Sequence, residues 1–389
     1  MRFLNDLSFY CPLKINCGDR ALAGLPMELA VHGASTPLIL ANRDQTAPRY
    51  IQTVVDAFRS SGLTMAIYDG LPDPLAPDLI PLLAQLYRDG GCDSLIAVGC
   101  GTVVDIAKCL NVQITVDDRG EKAVDGKNAF DAGPLRPLLL VAMPGGDGNE
   151  ATHHANDGNG LVCSSRLMPS AAVIDPVMMD GSERAVVNGG LIGLVHAVEA
   201  FIDVTASPMA HAYAHTAISL ITHYLPLTMR KTDRQRSLSG LVCGQVAAGC
   251  AFSACSQGVC HALANHLLTH TDLPLGYLLA SLLPHLLTET GRTHAEQVGQ
   301  LLYPIAGAEA FALTAAELKT PRVIALVWEF FDALNNDLRL TIPSSLIDAG
   351  LTDEQLDQVQ ADLSTDPEDE FLINVINHAR QDVAMSGDR

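Results

Sequence analysis

Two ionisable side chains, His196 and Glu199, interrupt an otherwise apolar stretch from Gly190 to Phe201. Leu191, Leu194, Val195, Val198 and Phe201 recur at helical spacing, which predicts a buried helix. An imidazole there can ligate a metal or carry a proton. Residues four apart share a helix face, and the position one turn before His196 is Ile192. A pair of metal ligands at i, i+4 is therefore interrupted by a hydrocarbon. On this stretch alone, a hydrogen-bonded core histidine and a metal ligand are both open readings. The second chemical feature is Gly99-Cys100-Gly101-Thr102, which follows the apolar run Leu95–Val98 and opens a helical stretch through Leu110. Glycine at such a turn lets backbone N–H groups approach an anion, and a helix N-terminus adds partial positive charge. Val104 stands where the third glycine of G-x-G-x-x-G would fall, so a tight turn without a ligand is the competing reading.

The elements that must position these residues fall into two groups. Short apolar runs at Pro37–Ala41, Thr64–Tyr68, Leu95–Val98, Leu138–Met143 and Ala171–Pro176 suit buried strands. Helical spacing separates them at Ala47–Ser61 and Asp78–Asp89, predicting a parallel α/β sheet with helices on both faces. Residues 1–36 read as a lead-in segment and 115–136 as a long loop. Beyond about residue 183 the periodicity is helical almost to the end, with a capping box at Thr352-Asp353-Glu354-Gln355. The expected division is an α/β nucleotide-binding domain over 1–182 and an all-helical domain over 183–389.

At 389 residues the chain is long enough for two cores. A hydrophobic content of 48% with 17% charged residues describes a compact protein. The formal net charge of −20, with no basic block, argues against nucleic acid and anionic membranes as partners. The ten cysteines include no C-x-x-C pair and are expected as buried, reduced thiols of a cytoplasmic protein. The N-terminus shows no apolar run of a signal peptide. Ser237–Thr271 lacks acidic and basic residues but carries Gln245, Gln257, His261, Asn265, His266 and His270. That polar content predicts helices buried in the protein and not in lipid.

Six segments in order carry a family resemblance. Gly190–Phe201 resembles the Gly-x-Asp-Ala-x-x-His-Ala-x-Glu-Ala signature of the iron-containing (group III) alcohol dehydrogenases. Gly99–Lys108 is similar to that family's Gly-Gly-Gly-Ser-x-x-Asp-x-Ala-Lys segment, and Pro144–Thr152 to its Thr-Ala-Gly-Thr-Gly-Ser-Glu-Val-Thr loop. Ala172–Pro176, Gly258–Ala264 and Leu282–His285 match further family motifs. The resemblance implies a dehydroquinate-synthase-like architecture with the active site in a cleft between its two parts. It also implies a homodimer, a small-molecule substrate and a nicotinamide cofactor, NADP or NAD. The cofactor would contact Gly99, Cys100, Gly101, Thr102, Asp105, Gly146, Asp147 and Gly148.

The chain departs from the family at the metal. One Asp and three His bind it there, and these positions carry over to Ile192, His196, His261 and Leu275. Two neutral imidazoles remain, fewer than the three or four protein ligands of ordinary iron and zinc sites. His196 and His261 are the only ligands left by the resemblance, and His266 or His270 stands at no ligand position. A family histidine assigned to proton relay aligns with Asn265, beside His266. A family lysine aligns with Asn159, and Asp147 replaces a threonine. Where the family has Thr-Asp after its first strand, this chain has Asn42-Arg43, which would admit a 2′-phosphate and favour the phosphorylated dinucleotide. The expected activity is an NAD(P)-dependent oxidoreductase on small alcohols or aldehydes, working without the usual metal through His196, His261 and His266. Maleylacetate reductases, metal-independent relatives, are the precedent. A non-catalytic descendant that keeps the fold for nucleotide binding or assembly is the second reading.

Overall fold

The computed structural model describes residues 9–73, 75–76, 78–117, 135–158, 160–255, 258–338, 341–363 and 370–380. The first half alternates strands and helices. In chain order these are β1 (Lys14–Cys17), α1 (Leu25–Val31), β2 (Pro37–Ala41), α2 (Pro48–Ala57), β3 (Ala66–Tyr68) and α3 (Leu79–Asp89). Next come β4 (Ser94–Gly99), α4 (Thr102–Asp117), β5 (Leu138–Ala142), β6 (His154–Asn156), β7 (Leu161–Cys163) and β8 (Ala171–Ile174). Six strands pair in parallel in the order β1-β8-β5-β4-β2-β3. The central strands are apolar runs buried on both faces, as a helix-covered parallel sheet requires.

Three details differ from the sequence reading. The lead-in segment holds an edge strand, β1, whose Lys-Ile-Asn-Cys composition gives no apolar run. β6 and β7 form a separate antiparallel hairpin. Helix α4 runs to Asp117 and not to Leu110, because Leu110 and Ile114 bury one turn apart in the core under the sheet. Asn159, Gln257 and most of the expected 115–136 loop lie outside the described residues.

From Glu183 onward the regular elements among the described residues are all helices. These helices are α5 (Glu183–Ile202), α6 (Pro208–Met229), α7 (Arg234–Phe252), α8 (Val259–Leu267) and α9 (Leu275–Thr293). They continue with α10 (Ala295–Gln300), α11 (Leu302–Leu313), α12 (Ala316–Leu338), α13 (Asp353–Leu363) and α14 (Glu370–Ala379). Ser182 starts α5 by accepting the N–H of Ala185 on its hydroxyl. The capping box before α13 is reciprocal: Thr352 N–H donates to Gln355 Oε1 and Gln355 N–H to Thr352 Oγ1. Helix α5 is long and apolar enough to cross a bilayer, yet 83% of its apolar window is buried inside the protein. Helix α7, which enters the uncharged Ser237–Thr271 stretch after its first turn, is likewise buried along most of its length. One contiguous apolar core joins the sheet to α5, α7, α8 and α9. All ten thiols are free, but only Cys250 and Cys260 are buried. The expectation that all are buried therefore fails, most clearly at the exposed Cys17 and Cys163.

Candidate active site

The site grows from the way the loop after β5 is clamped. Gly148 packs against Gln245 O and Gly249 of α7 so closely that a Cβ on either glycine would overlap backbone. Gly148 also has φ +92°, a left-handed conformation that other residues rarely adopt. The clamp holds Asp147 O at 3.1 Å from His196 Nδ1. A carbonyl only accepts, so His196 carries its proton on Nδ1 and a lone pair on Nε2. Burial, with His261 alongside, holds the His196 imidazole well below its usual range, so it is neutral.

His261 enters from α8. Its Nδ1 donates to Glu199 Oε2 at 2.9 Å, and Glu199 Oε1 accepts the N–H of Cys260 at 2.6 Å. Glu199 therefore sits under the N-terminus of α8, where a carboxylate is favoured. Gly258 makes room, since a Cβ there would collide with the Glu199 carboxylate. His261 Nε2 is buried without a hydrogen-bond partner among the described residues. The two imidazoles stack at 4.4 Å between centroids, and Phe252 stacks on His196 at 4.1 Å. His266 does not join them: it is exposed on α8, five residues past His261 and on another face. Ile192 is a buried core residue of α5, and Leu275 begins α9. The positions carried over to metal ligands thus supply two imidazoles and two hydrocarbons. That donor set does not fit an iron or zinc ion with three or four protein ligands.

The glycine turn does fit an anion. It joins β4 to the N-terminus of α4, which is 16 residues long. Gly101 has φ +53°, and a Cβ there would project into open space, the direction from which a phosphate could approach. Carboxyl groups surround it. Thr102 Oγ1 donates to Asp73 at 2.7 Å. Asp105 accepts from Asn149 Nδ2 at 2.6 Å, and burial pushes its carboxyl up to about 6. Asp147 accepts the N–H of Asn149 at 2.9 Å, so its carboxylate caps the turn that follows. Burial, with Asp147 nearby, pushes the fully buried Glu150 up to about 7. Burial also raises the Cys100 thiol far above its usual range.

Lys108 locks the two loops together. Its buried Nζ lies within 3.1 Å of five oxygens, on Asn149, Thr152 and His154. Burial still lowers it to about 8. Asn42 and Arg43 are committed elsewhere. Asn42 Oδ1 accepts the N–H groups of Asp44 and Gln45, building the turn after β2. Arg43 pairs with Asp69 at 2.6 Å. The Arg43 guanidinium, expected to accommodate a 2′-phosphate, faces the Asp69 carboxylate in this structure.

Sequence reading did not find Phe252 or the pair His153 and His154. Their rings connect to the site through contacts: His153 to His154 at 4.3 Å, and His154 to Phe252 at 5.8 Å. Burial pushes His154 down to about 4. The available signal was two adjacent histidines directly after the Pro144–Thr152 loop.

Parallel sheets with a glycine turn at the carboxyl end of a strand bind dinucleotides across their switch point, as hydride-transfer enzymes do. Relatives narrow this class. Residues 12–176 match the iron-containing alcohol dehydrogenase family, and residues 186–384 match the Fe-containing alcohol dehydrogenase family, C-terminal. The chain belongs to the iron-containing alcohol dehydrogenase family and is an oxidoreductase. It is 30% identical over 278 residues to 1,3-propanediol dehydrogenase of Klebsiella pneumoniae, covering 69% of this chain and 71% of that one. The crystal structure of a 1,3-propanediol oxidoreductase matches with a TM-score of 0.83 at 21% identity, over 96% of this chain and 100% of that one. Sulfoacetaldehyde reductase from Bifidobacterium kashiwanohense, in complex with NAD+, matches with a TM-score of 0.78 at 17% identity, over 98% of this chain and 100% of that one.

Proposed function

We propose that this protein interconverts a small alcohol and its carbonyl compound with a nicotinamide dinucleotide, and that His261 moves the proton in place of a metal. The observation that carries this reading is the buried His261 Nε2, unpartnered among the described residues, beside a Glu199 carboxylate. The dinucleotide supplies hydride acceptance or donation. In carbonyl reduction, protonated His261 donates from Nε2 to the oxygen that becomes the alcohol, while Glu199 offsets the imidazolium charge. In alcohol oxidation, neutral His261 Nε2 accepts that proton. His196 is neutral with Nδ1–H held by Asp147 O, so its Nε2 only accepts a hydrogen bond. Phe252 forms an apolar wall against both rings and keeps water from the reacting oxygen. A positioned acid or base is worth ~10²–10⁴-fold in rate.

The Gly99–Thr102 turn is assigned to the pyrophosphate. The unphosphorylated dinucleotide is favoured, since Arg43 is neutralised by Asp69 and Asp73 lies against Thr102. The similar sulfoacetaldehyde reductase holds NAD+. The test is NADH-driven reduction of a panel of short aldehydes by chelator-treated protein. Activity that survives chelation supports the reading. Binding of NADH without turnover of any aldehyde moves the assignment to a non-catalytic nucleotide-binding descendant. Activity lost on chelation and restored by iron returns the chemistry to a metal.

A further inference from the structure

Beside Phe252, whose ring His154 meets edge-on at 5.8 Å, lies a group of side chains that the hydride chemistry does not use. One ligating atom from each of His153, His154 and Cys163 lies within 4.8 Å of the other two. The local fold explains why they meet. His154 and Cys163 are directly paired across the β6–β7 hairpin, so their side chains leave the same face. His153 sits at the bend before β6, and its ring lies 4.3 Å from that of His154. Histidines 153 and 154 are half-buried, whereas Cys163 is exposed.

We propose that His153, His154 and Cys163 form a site for a borderline-soft divalent cation, zinc or cobalt, separate from the His196–His261 pair. Two imidazoles and a thiolate match the ligand preference of such ions, and three protein ligands leave the fourth position for water. Tetrahedral bonds of ~2.0–2.3 Å place ligands roughly 3.5 Å apart. The present spacing, within 4.8 Å, must tighten on binding, and the exposed Cys163 side chain provides the entry path. An outer group is already in place. Ser253 Oγ accepts the backbone N–H of His153 at 3.0 Å and is hydrogen-bonded to His153 Nδ1. In the tautomer that donates Nδ1–H to Ser253 Oγ, the lone pair of His153 is left on Nε2 for the ion. On binding, the Cys163 thiol loses its proton to solvent and the metal charge is unchanged, so no oxidant or reductant is involved.

The test uses the full chain stripped by chelator and then titrated with Co2+ and with Zn2+. The expected result is one ion per chain, with a thiolate-to-cobalt charge-transfer band. Cys163→Ser should abolish that band and weaken Zn2+ binding by about 100-fold or more, since loss of an outer partner alone costs ~10–100-fold. Ser253→Ala should show that smaller loss. His196→Ala with His261→Ala should leave Zn2+ affinity within about twofold. Circular dichroism and the unfolding midpoint check that the exposed Cys163 variant is folded, and Cys163→Ala is the second variant. The proposal is overturned if no charge-transfer band forms, if Ser253→Ala has no effect, or if binding survives Cys163→Ser and is lost with His196 and His261.

Discussion

Glu150→Gln offers the clearest energetic consequence of the carboxyl cluster beside the glycine turn. Glu150 is 1% exposed, and burial together with Asp147 raises its carboxyl from 4.5 to about 7. A raised carboxyl binds its proton more tightly in the folded state. Between pH 4.5 and 7 the folded protein therefore holds more protons than the unfolded chain, and stability falls as pH rises through that window. The shift corresponds to roughly 3 kcal/mol once pH is well above 7. About 2 kcal/mol of it develops between pH 5.5 and pH 8. Glutamine keeps the shape and cannot ionise, so any cost of its buried amide is the same at both pH values. Urea unfolding of both proteins at both pH values cancels the titration of every group that Glu150 does not touch, leaving Glu150 and its effect on Lys108. The variant should gain about 2 kcal/mol on the wild type between pH 5.5 and pH 8. An equal pH dependence of the two proteins would show that Glu150 is not held in a charge-excluding site.

Three further outcomes follow from the same geometry. Lys108→Met leaves the oxygens of Asn149, Thr152 and His154 without their buried donor, which should lower stability by about 3 kcal/mol or more; a loss below 1 kcal/mol by urea unfolding would contradict this. Calorimetric titration should show NADH binding more tightly than NADPH, and Asp69→Ala, which frees Arg43, should narrow the difference roughly two- to fivefold, the worth of an exposed ion pair. The paired change Ile192→Asp with Leu275→His should create iron binding that depends on His196 and His261; unchanged iron content, measured in a Cys163→Ser background, would show that the pocket cannot close around an ion.

The architecture was legible where burial is two-sided. Leu38, Ile39 and Leu40, or Leu139, Leu140 and Val141, announce β2 and β5 because both faces must be apolar. β1 and the β6–β7 hairpin gave no such sign. They lie at the sheet edge or outside it, and their three or four residues include Lys14, Asn16, His154 and Asn156. Within the site, His196 stands out by its type and place in an apolar helix, and His261 by the family resemblance of Gly258–Ala264. Their roles were not, because each is set by an atom far away in sequence: Asp147 O for His196 and Glu199 for His261. The ion pair of Arg43 was hidden for the same reason. Its partner Asp69 follows the neighbouring strand β3, and nothing near position 43 signals the pairing. Asp147 was more readable, since a carboxylate two residues before Asn149 can cap locally, and it does.

The proton-handling role of His261 can be measured directly. In chelator-treated protein, kcat for NADH-driven reduction of a short aldehyde at pH 7 is compared between wild type, His261→Ala and Glu199→Gln. The account predicts a ~10²–10⁴-fold fall in kcat for His261→Ala. Glu199→Gln should lower kcat less and shift the basic limb of its pH profile to lower pH, while NADH affinity stays unchanged in both. Wild-type turnover in His261→Ala, or a loss confined to NADH binding, would contradict it.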